Sequence, residues 1–136
     1  MIDQTSKWYI CGLVDRLPFD LLNGVLQINL VYNTGGAFGV FRGAKYLFIS
    51  VSIAAILYIA YLLLYADKKE KLFSMPMRVS LGMVMGGAIS NLIDRIRFGY
   101  VIDFLDFKVW PVFNGADICI TTGVIVLLIA YFARRK

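Results

Sequence analysis

The chain contains no histidine. That excludes Ser-His-Asp and Cys-His catalysis and most transition-metal sites, which rely on imidazole. Its two cysteines, Cys11 and Cys119, lie far apart and form no C-x-x-C pair, so both read as small apolar packing residues. Charge is scarce: 17% of residues are charged and 60% hydrophobic. No basic face interleaved with aromatics exists, so nucleic acid is not an expected partner. There is no internal repeat and no low-complexity tract. Asp, Glu, Lys, Arg and hydroxyls are left to carry any chemistry.

Long apolar runs are what the chain has. Tyr46 to Ala66 is 21 residues without a charge, long enough to cross a bilayer. Asp67-Lys-Lys-Glu-Lys71 follows as a solvated turn, and Pro76 suits the first turn of the next helix. Val79 to Ile93 gives 15 uncharged residues and Ile118 to Ala133 gives 16. A span needs about 20. Each of these helices therefore reaches full length only by taking polar residues in at one end. With Arg78 and Arg134 on one membrane boundary, a rise of ~1.5 Å per residue puts Asp94 and Asp117 about 25 Å above it. In a hydrocarbon core about 30 Å thick, both sit just inside the opposite face, at one level.

The expected organisation is a single integral membrane domain over residues 1–136, an all-α membrane protein with four transmembrane helices. The helices are expected at about 1–14, 44–66, 77–97 and 115–133. A small extracytoplasmic β-cradle is expected at about 24–40, because Leu26 to Tyr32 alternates and is partly β-branched, with Thr34-Gly-Gly-Ala as a turn. The first helix is short for a span and looks clipped. It is not a signal peptide, since no basic region precedes an uninterrupted apolar core. Nor does Trp8-Tyr-Ile-Cys11 have the small residue before cysteine that a lipobox needs. Seven basic residues fall on the side of the Lys68 loop and the C-terminus, against six in longer segments on the other. That bias places both termini in the cytoplasm and Asp103 outside.

Ionisable groups at membrane depth are costly and are usually paired or functional. Asp3 and Lys7 stand at i,i+4 and read as a structural pair. Gly82, Gly86 and Ser90 form a stripe of small residues that permits close helix contact. Gly87, Asn91 and Asp94 or Arg95 share one face of the third helix, and the adjacent Asp94 and Arg95 diverge, so each is expected to meet another partner. Asp117 suits a helix N-terminus, with Asn114 able to cap the same helix. Asp103, inside Tyr-Val-Ile-Asp-Phe-Leu, has no such explanation. The return from the third helix to the fourth can bring it beside Asp117. Two carboxyls sharing an apolar site cannot both ionise easily, so one keeps its proton. A base and an acid flanking a water is what aspartic peptide hydrolysis requires. Asp106 reads as solvated.

Five segments in order resemble the lipoprotein signal peptidases (signal peptidase II) of bacteria. Asp3-Gln-Thr-Ser-Lys7 is similar to D-Q-x-x-K. Asn33-Thr-Gly-Gly-Ala-Phe-Gly39 is similar to N-x-G-x-A-F. Gly86 to Arg95 resembles G-G-A-x-G-N-x-x-D-R, with Ser90 where the family has Gly. Val101 to Phe104 resembles V-[VI]-D-F, and Phe113 to Asp117 resembles F-N-x-A-D. Ser90 is expected to hydrogen-bond a carbonyl within its own helix. The resemblance implies a bacterial inner-membrane aspartic endopeptidase without cofactor or metal. It implies that Asp103 and Asp117 are the catalytic dyad. The substrates it implies are diacylglyceryl-modified prolipoproteins, cut just before the lipidated cysteine on the outer face, with membrane lipids as partners and globomycin as inhibitor. Asn33, Gly35, Asn91, Asp94, Arg95 and Asn114 are expected to frame the dyad, with Phe38, Phe104, Trp110 and Phe113 lining a groove. Two other readings use the same acids: a small proton-coupled transporter, or a scaffold in which every carboxylate is paired. A transporter would hold its key acid near the bilayer middle rather than near one face.

Overall fold

The computed structural model describes residues 2–36, 41, 43–70 and 72–134. Phe38, with the end of the Asn33–Gly39 segment, lies outside them, as do Arg42, Lys71, Arg135 and Lys136. The chain runs through α1 (Ile2–Cys11), β1 (Phe19–Leu22), β2 (Leu26–Asn33), α2 (Lys45–Tyr61), α3 (Asp67–Glu70), α4 (Met75–Arg97), β3 (Val101–Asp106) and α5 (Gly115–Arg134). A π-helical stretch, Leu62–Ala66, carries α2 on into α3.

Among the described residues, two segments are long and apolar enough to cross a membrane, Lys45–Ala66 and Gly115–Arg134. Almost none of either is buried inside the protein: Leu57, Leu64 and Ile129 are each at least 64% exposed. In water, each such side chain would forgo about 1.5–3 kcal/mol of burial. Such a row of exposed apolar side chains suits a hydrocarbon surround. α4 is different. Pro76 lies in its first turn and its C-terminal part carries Asn91 and Asp94, both buried. It stops because Gly99, at φ +86°, takes the left-handed conformation, and its N–H closes on the Arg95 carbonyl at 3.1 Å.

α4 and α5 pack antiparallel, and the contact runs through glycines other than the expected stripe. A Cβ on Gly87 would stand 2.5 Å from the Ala116 carbonyl oxygen, and one on Gly123 would stand 2.8 Å from that of Ser80. A Cβ on Gly82 or Gly86 would meet nothing within 4 Å beyond its own stretch of helix among the described residues. The stripe gives way to Gly87 and Gly123 because the polar residues of α4 must face α1 and α5, which turns Gly87 inward.

The sheet is larger than the sequence indicates. Its strands are ordered β1-β2-β3, all antiparallel. Asn23 and Gly24, both at positive φ, make the β1–β2 turn. β3 pairs Tyr32 with Ile102 and Asn33 with Val101. It lies in the return between α4 and α5, where only a loop was expected. Phe113 adds to its edge, exchanging backbone hydrogen bonds of 2.8 and 3.1 Å with Leu105. Ile10 of α1 packs with Ile28 and Phe104, so α1 sits against the sheet. α1 ends at Cys11, short of the expected 14, and a 3-10 turn follows at Val14–Arg16.

Candidate active site

Asp103 is on β3 and 2% exposed. Its carboxyl accepts from the Asn33 amide at 3.0 Å and from the Asn114 amide at 2.6 Å. Asp117, in the first turn of α5, accepts from the Asn91 amide at 2.8 Å and from the Asn114 backbone N–H at 3.2 Å. Asn114 returns a cap by accepting from the Asp117 N–H at 3.0 Å. This reciprocal cap satisfies two orphan donors at the helix start. One fully buried side chain, Asn114, thus touches both acidic residues. Asp103 and Asp117 line the same cavity of about 410 Å³, with Asn33, Gly35, Arg95 and Trp110 in its wall.

Burial pushes the Asp103 carboxyl up from an ordinary 3.8 to about 6. The negative charge of Asp117 raises it further, while the Asn33 and Asn114 amides and the Lys7 charge pull the other way. A carboxyl so placed keeps its proton far more readily than a solvated one.

Behind the two acids is a second layer, and the expected Asp3–Lys7 pair belongs to it. Lys7 is 2% exposed. Its ammonium reaches Asp3 at 2.8 Å, Asp94 at 2.7 Å and Asn91 at 3.1 Å, which uses all three of its protons. Asp94 also accepts from Gln4 at 2.7 Å and from the Ile102 N–H at 3.2 Å. Asp3 accepts from the Ala116 N–H at 3.0 Å, at the start of α5. The structural pair and the polar frame are therefore one network from α1 through α4 to β3 and α5. No buried side-chain nitrogen or oxygen among the described residues lacks a partner. In a low-dielectric surround, that completeness is what lets so many polar groups be buried.

Several expectations change. Ser90 does not bond within its helix: its hydroxyl donates to Asp3 at 2.7 Å and accepts from Gln4 at 3.1 Å. Gln4, a specified position of the D-Q-x-x-K segment, had no role legible from the sequence, and its role appears once α1 meets α4. Arg95 forms no ion pair among the described residues. It donates to the Gly35 carbonyl at 3.4 Å and lies 4.9 Å over the Phe48 ring. Asp94 serves Lys7 rather than Arg95. Asp106 is buried, not solvated. It accepts from Gln27 at 2.8 Å, Asn29 at 3.2 Å and the Lys108 N–H at 2.8 Å, and the last two-residue turn first of all holds its carboxyl below the ordinary range. Phe104 packs in the core with Ile10 and Ile28, while Trp110 and Phe113 do stand at the cavity wall.

Helices with apolar outsides, closed at one end by a buried knot of polar groups around a carboxyl pair, define a membrane protein with an enclosed polar site. The comparisons with known proteins agree. The family model described as Signal peptidase (SPase) II matches residues 1–133. The lipoprotein signal peptidase of Halothermothrix orenii is 41% identical over 139 residues, covering 100% of this chain and 91% of that one. That of Caldicellulosiruptor bescii is 46% identical over 127 residues, covering 93% and 81%. A solved structure described as a bacterial membrane enzyme superposes with a TM-score of 0.87 at 28% identity, covering 99% of this chain and 83% of that one. The chain belongs to the signal peptidase II family, and it is accordingly a peptidase.

Proposed function

We propose that this peptidase removes the signal peptide from diacylglyceryl-modified bacterial prolipoproteins, cutting just before the lipidated cysteine, and that Asp103 and Asp117 do the chemistry. The observation that carries the assignment is the Asn114 bridge: this one buried residue donates its side-chain amide to the Asp103 carboxyl and its backbone N–H to the Asp117 carboxyl, and both acids line one cavity. Of the pair, one carboxylate takes a proton from water. The water oxygen adds to the scissile carbonyl carbon, whose oxygen takes a proton from the other carboxyl. The resulting gem-diol collapses as the C–N bond breaks, and a carboxyl delivers a proton to the leaving nitrogen. The pair titrates as a unit.

Asn33, Asn91 and Asn114 hold the acids in place, Asp94 and Asp3 anchor the Lys7 layer behind them, and Arg95 with Gly35 frames the substrate backbone. We read residues 1–136 as one integral domain of the four-helix type in the bacterial inner membrane, with α2, α4 and α5 spanning it and the ten-residue α1 supplying only the outer part of the first helix, both chain ends directed to the cytoplasm and the site at the outer face. Two features support that level. The acids sit at the sheet end of α4 and α5, and a second cavity of about 400 Å³ beside Asp117, lined by Phe107, Trp110, Phe113 and Ile118, suits acyl chains. Membrane lipids and globomycin-type inhibitors are the further ligands this reading implies. A carboxyl pair at one end of the bundle, and not at its middle, disfavours the transporter.

The test is cleavage of a lipid-modified prolipoprotein peptide by Asp103→Asn and Asp117→Asn. Each is expected to lose at least a hundredfold in kcat, the usual scale for a missing acid or base, while keeping the unfolding temperature of the parent chain. Full cleavage by either variant would remove that residue from the dyad.

A further inference from the structure

A third cavity, of about 540 Å³, lies between α1, the end of α4 and the β2–β3 pair. Neither Asp103 nor Asp117 lines it. Successive strand residues point to opposite faces. Tyr32 and Ile102 accordingly face this cavity, while Asn33, Val101 and Asp103 face the other. Three charged side chains line it, Lys7, Asp94 and Arg97. Lys7 and Asp94 are paired at 2.7 Å and cancel. Arg97, the last residue of α4, makes no ion pair among the described residues, and its guanidinium lies 5.6 Å over the Phe98 ring. Phe98 stacks on Tyr100 at 5.9 Å, and Tyr100 meets Tyr32 at 4.8 Å. Trp8, 78% exposed, stands beside them.

We propose that this cavity seats the phosphate of an anionic glycerophospholipid from the outer leaflet. One uncompensated guanidinium supplies a planar fork matched to phosphate oxygens. The Trp and Tyr rings around it are of the kind found at headgroup level, where an amphipathic ring meets both chain and water. Arg97 ends a helix whose outer turns already lie at that level. The volume falls in the range of small-molecule sites. A bound headgroup here would brace α1 against α4 on the side away from the carboxyl pair. The proposal rests on the membrane placement and not on the catalytic assignment, so its test reads lipid and not cleavage.

The full chain is placed in nanodiscs holding equal phosphatidylglycerol and phosphatidylcholine, released into the gas phase, and its retained lipids counted by native mass spectrometry. Phosphatidylglycerol is expected to be retained over phosphatidylcholine about fivefold, the contribution of one basic residue at a membrane surface. Arg97→Gln brings the ratio to about one, Arg97→Lys keeps most of it, and Arg16→Gln leaves it unchanged. Trp8→Ala, a change at an exposed position, halves it or more, which gives a second reading should Arg97→Gln fail to fold. Asp103→Asn keeps the full preference. An even ratio in the parent chain, or an unchanged one in Arg97→Gln and Trp8→Ala, overturns the proposal. So does loss of the preference in Asp103→Asn, which would put the lipid in the carboxyl cavity. Displacement of the lipid by millimolar inorganic phosphate would mean that the site takes the free ion, and would overturn it too.

Discussion

Lys7 is held on every side within the site. Its three protons go to three acceptors on two helices, and with 2% exposure no water can replace them. Its charge is also felt at Asp103, where it works against burial. Burial wins: the Asp103 carboxyl stands at about 6. The sign follows. An acid with a raised value is better accommodated neutral, so its stabilising contribution is full below the ordinary 3.8 and is lost as pH rises through about 6. With Asp103 and Asp117 as the proposed dyad, the same titration takes the shared proton from the pair. The cleavage rate, as kcat/KM, is therefore expected to fall tenfold per pH unit above about 6. A pH–rate profile on the free enzyme measures it, and a rate still flat at pH 9 would contradict a proton held by Asp103.

At the scale of elements, the site depends on how closely α4 approaches α5. Asn91 reaches Asp117 at 2.8 Å because, one turn earlier, Gly87 leaves no side chain between the helices. An Ala at position 87 would put its methyl 2.5 Å from the Ala116 backbone oxygen and 2.7 Å from the Ile120 side chain. The backbone oxygen cannot turn aside as a side chain can, so the helices must part. Gly87→Ala is expected to cost about 1–3 kcal/mol by overpacking and to lower cleavage by separating Asn91 from Asp117. Gly86→Ala, beside it with open space, serves as the control and should leave both stability and cleavage near the parent values. Chemical unfolding in micelles, followed with the cleavage assay, decides between them. β3 belongs to this scale as well. It is the strand that brings Asp103 to α5, and Phe113 clamps its end.

For the whole molecule, the question is which end of the bundle faces out. At the other end Asp67 pairs with Arg78 at 2.6 Å and accepts from the Phe73 N–H at 2.8 Å, while Arg134 donates to the Leu72 carbonyl. These contacts gather the start of α4 and the end of α5 among basic residues, which is how a cytoplasmic end is marked. In a chain with Cys11 and Cys119 replaced by Ala, Lys68→Cys should react with an impermeant maleimide only in inverted vesicles. Asp20→Cys, in the β1–β2 hairpin, should react only in right-side-out cells. The reverse pattern would turn the molecule over and place the carboxyl pair inside the cell.

Composition and order were enough to indicate a membrane protein, the apolar helices and the two acids. Long uncharged runs need no tertiary partner to be recognised, and Asp103 stands out because nothing local explains it. The β element around Leu26 to Tyr32 was equally legible from its alternation. What only the tertiary structure decided was which polar groups meet. Lys7 and Asn91 are 84 positions apart, and Gln4 and Asp94 are 90 apart. No local rule links such pairs. β3 was hidden because a strand buried on both faces shows no alternation. Asp106 was misread because its partners, Gln27 and Asn29, lie on the neighbouring strand. Ser90 was misread because α1 supplies a stronger acceptor, a carboxylate, than its own helix does. A sequence states which groups would be costly to bury, and the packing of α1 on α4 and α5 decides which partners make that burial possible.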